Sequence, residues 1–468
     1  MRRHSRPLAC IVLVTVLGGC RPEVDREPAR AAVGPAAPAA RPNVVLVLVD
    51  TLRADHLSAY GYSRPTSPNL EALAGKAVLF EQARAQASCT FPSVNSLLTS
   101  RDPLLFLGQE GGRLGIPEGI PSLAQTLRDA GYSTAAVSAS PVVRKSPTRF
   151  NPAGGFDRGF EVFDEQCLWQ AADCVNGRVE ALLPALEEPY FLYLHYMEPH
   201  GPYRPPQRHP RRWALPIEAP EFVLAGDPNP LADAIYKQGK PAPVTEAQLA
   251  HLVDLYDEEI AFFDSELPRL LAALEGRSRE SDTVLALASD HGEAFLEHGD
   301  VKHCHAPFDT QVRTPLLLRA PGAAAGRRVS AAVSNLDLAP TLLDLAGVDR
   351  EALTLDGESL RPWLEPGPAA GSAGPRWSFS SQGAWRSATD GRTKLLYDME
   401  RRSFALFDLA ADPGELRDLA RERPAELQRL QRALYERLVR VEGSTASERS
   451  LALGEEAEER LRALGYLQ

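Results

Sequence analysis

Four stretches of the chain are apolar at nearly every position, and they alternate with segments of helical spacing. The first, Asn43–Val49, reads Asn-Val-Val-Leu-Val-Leu-Val, and residues 134–138, 190–195 and 283–289 share its character. A short apolar run without polar alternation predicts a strand buried on both faces. Thr66-Ser67-Pro68 opens a helix through residue 77, a capping residue followed by Pro in the first turn. Residues 121–130 predict another. Over 247–274, Leu252, Tyr256, Ile260, Phe263, Leu267, Leu270 and Leu274 recur at helical spacing, with Pro268 as a candidate kink. Strands alternating with helices predict an α/β fold with a mostly parallel sheet covered on both faces. Such sheets bind ligands beyond the carboxyl ends of their strands, and Asp50, His195 and Asp290 all lie there.

Past residue 364 the pattern changes. A Pro/Gly/Ala linker at 366–375 leads into short strand-like runs at 377–380, 394–397 and 404–408, then a helix at 424–441. These predict a C-terminal subdomain, 365–468, of antiparallel strands and helices beside a main domain at 42–364. No internal repeat is present.

With 468 residues, 44% hydrophobic and 24% charged, the chain can bury a large core and a smaller second one. A net charge of -11 argues against nucleic acid as a partner, because a backbone binder needs clustered Lys and Arg. It does not exclude a small anionic ester, provided the site itself carries positive charge. At the N-terminus, Arg2, Arg3 and Arg6 precede an apolar run over 8–19, too short to span a bilayer comfortably. The run ends in Leu17-Gly18-Gly19-Cys20, which resembles a bacterial lipoprotein signal. That resemblance implies a signal peptide at 1–19, a lipid on Cys20 and attachment to the membrane through it. A plain signal peptide or an uncleaved anchor is the alternative. Residues 20–41, rich in Ala and Pro, read as a disordered tether, and Arg21 favours the outer membrane over inner-membrane retention. The expected location is the periplasmic face or the outer membrane. Export means an oxidising compartment, where Cys89, Cys167, Cys174 and Cys304 allow three pairings. Cys167 and Cys174 can close a small loop; Cys89 and Cys304 either pair or stay free. Their spacing matches no zinc site.

Four pieces carry chemistry. Asp50 heads Asp50-Thr51-Leu52-Arg53 directly off a buried strand, where a carboxylate is costly unless it meets a cation or caps the next segment. Ser289-Asp290-His291-Gly292-Glu293 leaves another buried strand, so adjacent Asp and His can converge on one ion while Gly lets the backbone turn. In Cys89-Thr90-Phe91-Pro92-Ser93, Pro92 marks a helix start and puts Thr90 at or just before its N-terminus, which favours an anion. Lastly, six of the 10 His residues fall in 195–200, 291 and 298–305, with His200, His298, Lys302, His303 and His305 among the basic groups.

Together and in this order the pieces resemble the sulfatase family of the alkaline phosphatase superfamily, from about Pro42 to the C-terminus. The resemblance includes Tyr256-Asp257-Glu258-Glu259-Ile260 with Asp264, Val312-Arg313-Thr314-Pro315-Leu316, and the tail from Glu458 to Tyr466. It implies an alkaline phosphatase-like three-layer α/β sandwich with a small C-terminal α+β domain. It also implies an enzyme that cleaves sulfate or phosphate esters, with a small-molecule, glycan or lipid ester as substrate. Asp50, Asp290 and His291 match its metal-ligand positions and Thr90 its nucleophile position, so that Thr90 too would touch the metal. Arg53 matches the Arg that supports the nucleophile. His200 and His303 match residues that contact the anionic group or the leaving oxygen, with Lys302 and His298 as further candidates for substrate binding.

The chain also departs from the family. Working sulfatases carry Cys or Ser, any residue, Pro, Ser and Arg, then a run ending in Leu-Thr-Gly, and the Cys or Ser becomes formylglycine. Here Thr90 stands at the converted position, Val94 replaces the Arg, Ser100 replaces the Gly, and Thr51 stands where many relatives have a further metal-binding Asp. Cys89 is one residue too early. No formylglycine is therefore expected, and a threonine ester must be resolved by water or an acceptor alcohol. The expected cofactor is one divalent ion, Mn²⁺, Mg²⁺, Ca²⁺ or Zn²⁺, all compatible with two carboxylates, a hydroxyl and an imidazole. A Thr-nucleophile hydrolase or phosphotransferase is the leading reading. A formylglycine-independent sulfatase and a catalytically silent sulfatase-like binding protein are the others.

Overall fold

A computed structural model describes residues 41–106, 115–117, 119–151, 154–367 and 376–444. The expected signal peptide, Cys20 with its tether to residue 40, linker residues 368–375 and the 458–466 tail lie outside the described residues. Among the described residues no helix is long and apolar enough to cross a membrane.

The strands in the first part of the chain are β1 (Asn43–Val49), β2 (Val78–Arg84), β3 (Ser133–Ser138), β4 (Val162–Asp164), β5 (Tyr190–Tyr196) and β6 (Thr283–Ser289). A two-stranded ribbon, β7 (Ala294–Phe295) with β8 (Val301–Lys302), and the strands β9 (Leu316–Arg319) and β10 (Arg328–Ser334) follow. Eight of these form one sheet in the order β10-β2-β9-β6-β1-β5-β3-β4. Every pairing is parallel except the two made by β9. The expected α/β class with a mostly parallel sheet is what the chain builds.

The apolar runs are continuous because the sheet has a core on each face. Val45, Val47 and Val49 of β1 point into one, with Leu252, Tyr256, Ile260 and Phe263 of the long helix Glu246–Arg277. Val44, Leu46 and Leu48 point into the other, with Val94 and Leu97 of helix Thr90–Thr99 and Leu338 and Leu342 of helix Leu338–Leu345. Each such side chain, fully buried, contributes about 1.5–3 kcal/mol. The long helix starts on a capping box between Thr245 and Gln248 and runs through Pro268 without a break. The first helix is shorter than its sequence pattern suggests, Pro68–Ala74, because Gly75 and Lys76 lead into β2.

The C-terminal strands β11 (Ser378–Gln382), β12 (Trp385–Thr389), β13 (Thr393–Asp398) and β14 (Ser403–Asp408) form an antiparallel meander. Helix Pro424–Ser444 covers it, packing Leu430, Leu434 and Leu438 against Leu395 and Leu406. The meander docks on the main sheet through main-chain and ionic contacts. Ser381 N donates to Gln86 O at 2.7 Å, Ser380 Oγ donates to Ala85 O at 2.6 Å, and Lys394 Nζ lies 2.8 Å from Asp309.

Candidate active site

The parallel register sets the site. Val49 is level with Tyr196 on one side and Ser289 on the other, so Asp50 and Asp290 leave the sheet as neighbours. The turn after β1 is braced at each residue. Asp50 N donates to Tyr196 O at 2.9 Å, Thr51 N to Asp290 Oδ1 at 3.2 Å and Leu52 N to Ser289 Oγ at 2.9 Å. Tyr256 OH donates to Thr51 O and accepts from Arg53 N. The turn after β6 needs glycine. A Cβ on Gly292 would sit 2.2 Å from the Thr310 carbonyl oxygen, closer than any side chain tolerates.

Thr90 is the first residue of helix Thr90–Thr99, with Cys89 as its N-cap. Ser93 Oγ donates to Asp290 O at 2.5 Å and fastens this helix to the β6 turn. Among the described residues two disulfides are present, Cys89–Cys304 and Cys167–Cys174. The first joins the residue before Thr90 to the residue after His303. Ser100, in the position where relatives carry Gly, has φ 52°, the left-handed region that glycine adopts freely, and its hydroxyl donates to Leu336 O at 2.8 Å. Val94, in place of the family's Arg, is buried in the hydrophobic core.

The buried polar atoms then converge. Thr90 Oγ1 is 3.1 Å from His291 Nε2. His291 Nδ1 is 2.9 Å from Gly292 O and must donate to it, so in the neutral imidazole it is the Nε2 lone pair that faces Thr90. That same Nε2 lies 3.3 Å from Asp290 Oδ2 and 3.9 Å from Asp50 Oδ1. Both carboxylate oxygens are buried and without a hydrogen-bond partner. Burial, reinforced by the Asp290 carboxylate, pushes the Asp50 carboxyl well above the usual range. Burial opposes the His291 cation, yet Asp290 and Asp50 outweigh it and raise the imidazole. Two unpartnered carboxylate oxygens, a hydroxyl and an imidazole lone pair aimed at one point form a donor set that fits a divalent cation.

His195 completes this cluster from β5. One atom each from Asp50, His195 and Asp290 lies within 4.8 Å of the others, so His195 is a further candidate ligand. Its present partners suit a positioning role. Nε2 is 3.2 Å from Asp50 Oδ2 and Nδ1 is 2.8 Å from Tyr193 OH, while burial pushes the imidazole down to about 4. A neutral His195 that donates to Oδ2 leaves Oδ1 for the metal. His195 was readable as a strand-end residue, but nothing in the sequence shows that it reaches across to Asp50.

A row of rings leads outward. His303 lies 4.6 Å from His291 and 5.0 Å from His200 between centroids. His303 Nδ1 is 3.0 Å from Oε1 of buried Glu293, whose Oε2 has no partner. Burial, then the neighbouring His291, pushes His303 well below its ordinary value; burial, then His303, pushes His200 down to about 3. Both imidazoles are neutral near pH 7. Glu293 is the residue that sequence reasoning passed over, although it sits in the Asp290-His291-Gly292-Glu293 motif.

The remaining candidates stand further off. Arg53 is buried, and its guanidinium bonds run to Asp55, Glu297 and the Glu293 carbonyl. It braces the two site turns against each other. Lys302 sits at the rim with its amino group 2.7 Å from Asn229 Oδ1, close enough to act on Glu293, His200 and His303. His298 is outside the row of rings. It stacks on Phe308 at 3.6 Å, among charges that include Lys394 and Asp412 of the C-terminal region.

The open α/β sheet thus gathers buried acidic and imidazole groups at its strand ends, beside a hydroxyl at a helix start. The sulfatase family profile matches residues 42–348, and the chain belongs to the sulfatase family. It is 25% identical over 366 residues to an uncharacterized sulfatase, YidJ, of Escherichia coli strain K12, covering 70% of this chain and 72% of that one. With the iduronate 2-sulfatase of Mus musculus it shares 26% identity over 385 residues, 65% of this chain and 69% of the relative. The phosphonate monoester hydrolase of Agrobacterium radiobacter has the same fold, with a TM-score of 0.68 at 23% identity over 86% of this chain and 96% of that one.

Proposed function

We propose that this chain is a metal-dependent hydrolase of phosphate or sulfate esters in which Thr90 is the nucleophile, with phosphate esters favoured. The observation that carries this reading is the placement of Thr90 Oγ1 3.1 Å from His291 Nε2, beside the unpartnered oxygens of Asp50 and Asp290. Iduronate 2-sulfatase and phosphonate monoester hydrolase, two similar proteins, are named for sulfate and phosphonate chemistry, which supports the ester class. Cys89 is engaged by Cys304 and Val94 lies in the core, which weighs against a formylglycine route.

Asp50, Asp290, His291 and Thr90 would hold the ion, with His195 orienting Asp50. A bound divalent cation polarises a nonbridging ester oxygen and lowers the pKa of the nucleophilic hydroxyl. Thr90, its hydroxyl proton lost to solvent, attacks phosphorus or sulfur through the Oγ alkoxide, and the bond to the alcohol oxygen breaks as the new ester bond forms. The departing alkoxide takes a proton from the Glu293–His303 pair, which is neutral overall when it shares one proton. Water then attacks the Thr90 ester, giving up its proton to the same pair and releasing Thr90 as the alkoxide that began the cycle. A threonine ester cannot collapse to an aldehyde as a formylglycine hydrate can, and phosphoryl esters are the easier ones to resolve by direct attack.

The test is a metal-supplemented assay of the purified chain on an aryl phosphate, a phosphodiester and an aryl sulfate, with Thr90→Ala alongside. The expected outcome is hydrolysis of the phosphate substrates by wild type and its loss in Thr90→Ala. Equal inactivity of both on all three substrates favours the silent binding protein; turnover confined to the sulfate favours the formylglycine-independent sulfatase.

The expected location joins this reading as a proposal. Two disulfides suit an exported chain. Lipid on Cys20 would hold it at the cell envelope, with the site facing the periplasm or outer membrane. Metabolic labelling with a fatty acid should mark the wild type and not Cys20→Ser; equal labelling would remove the anchor from the proposal.

A further inference from the structure

The row of rings does not stop at His200. The His200 centroid lies 5.3 Å from Trp169, and Trp169 lies 5.9 Å from Phe150 in an edge-to-face arrangement. Both outer rings are open to solvent, Trp169 at 42% and Phe150 at 40%. The two rings touch, so they form one aromatic patch at the outer end of the row and not two scattered exposures. The Arg149 guanidinium lies over the Phe150 ring, 4.5 Å from its centroid.

The backbone beneath Trp169 is built to present it. Cys167 is fully buried in the core, and its disulfide to Cys174 closes a loop with Trp169 near the tip. Trp169 N donates to Ala139 O at 3.0 Å, and Gln170 N to Cys167 O at 2.8 Å. Trp169 itself has φ 55°, a conformation that a bulky L residue rarely adopts. The loop is also tied to the His200 segment: Ala172 N, at the start of the next helix, donates to Glu198 Oε1 at 2.5 Å. A bulky ring in a left-handed position, stapled on both sides and left half-open beside His200, is an arrangement for holding something outside the protein.

We infer that Trp169, with Phe150 at its edge, is the subsite for the alcohol half of the ester, and that this alcohol carries a ring with a flat apolar face. This rests on the reading that Thr90 takes the anionic half of the substrate. His303 and His200 then flank the bridging oxygen, and whatever that oxygen is bonded to continues outward over Trp169. A planar aryl group or the apolar face of a pyranose can stack there; a short alkyl chain gains little.

Saturation-transfer NMR with free alcohols tests the subsite without turnover. The probes are 4-nitrophenol and methyl glucoside, against wild type, Thr90→Ala, Trp169→Ala, Trp169→Phe and Trp169→Gly. Ring protons of at least one probe should be saturated by wild type, Thr90→Ala and Trp169→Phe, and lost with Trp169→Ala and Trp169→Gly. Whichever probe responds identifies the ring class. Trp169→Gly relieves the left-handed conformation and should melt no lower than wild type, which separates lost binding from lost folding. Among esters, Trp169→Ala should raise KM for the responding ring roughly 5- to 10-fold, a larger change than it makes for methyl phosphate. Saturation that persists in Trp169→Ala, or that is absent for both probes in wild type, overturns the subsite. A Thr90→Ala variant that still turns over esters overturns the nucleophile reading instead, and leaves the NMR result standing.

Discussion

Asp290→Asn is expected to lower kcat/KM by on the order of 10³-fold and to remove most of the protein's affinity for a divalent cation. The substitution keeps the shape of the side chain. Its Oδ1 position can still accept from the Thr51 and His291 amides, which now bond to Asp290 Oδ1. What changes is Oδ2, a buried oxygen that has no hydrogen-bond partner among the described residues and lies 3.3 Å from His291 Nε2. Losing that charge should have opposite effects on the two forms of the protein. Without metal, Asp290 adds to the burial that makes the Asp50 carboxylate unfavourable, so the metal-free variant should melt above metal-free wild type. With metal, wild type should gain thermal stability as the logarithm of the ratio of ion concentration to Kd, and the variant should not. Calorimetric titration with Mn²⁺ and thermal melts with and without the ion check both halves. A variant that keeps turnover and the metal-dependent rise in Tm would show that the ion is held elsewhere.

The second large effect concerns stability. Lys394 on β13 is fully buried, with Nζ 2.8 Å from Asp309 Oδ1 and 2.8 Å from Glu415 Oε1. Arg84 on β2 bonds the same Asp309 through Nε at 2.9 Å and Nη2 at 2.7 Å. This cluster fastens the C-terminal meander to the main sheet. Lys394→Met should cost about 3–5 kcal/mol, because it leaves Glu415 buried beside Asp309 without its cation. Burial, opposed by Lys394, already pushes the Glu415 carboxyl up to about 7. A carboxyl raised in the folded state favours folding below its unfolded pKa near 4, and that advantage is lost as pH rises through about 7. The variant should therefore suffer most at pH 8 and least at pH 5. Lys394→Met combined with Glu415→Gln should recover much of the loss. Urea unfolding at the two pH values measures it, and a cost below about 1 kcal/mol at pH 8 would mean that the cluster does not act as a joint.

Much of this was open to sequence reading, for reasons that differ by element. β1, β5 and β6 announce themselves because they are buried on both faces and leave no polar position to confuse the pattern. β2 and β10 do not, since Val-Leu-Phe-Glu-Gln-Ala-Arg and Arg-Val-Ser-Ala-Ala-Val-Ser mix polar and small residues near the sheet edge. β12 is equally quiet, because Trp-Arg-Ser-Ala-Thr owes its strand to the neighbours on either side. In the site, Asp50, Asp290 and His291 were visible as polar residues at the ends of apolar runs. His298 shares the local sequence of His303 but stacks on Phe308, a difference set by a chain reversal that includes left-handed residues at Leu296 and His298.

By itself the sequence determined the family, the α/β class and the residue types that gather at the strand ends, because buried strands and strand-end carboxylates follow from local pattern and desolvation cost. Tertiary structure alone decided which atoms meet. The parallel register of β1 between β5 and β6 sets Asp50 beside Asp290 and brings His195 onto Asp50, across 145 positions of sequence. Cys89 and Cys304 pair across 215, next to Thr90 and His303. The loop closed by Cys167 and Cys174 carries Trp169 to His200. Such meetings depend on how layers pack and where the chain turns, and no spacing along one strand of sequence encodes them.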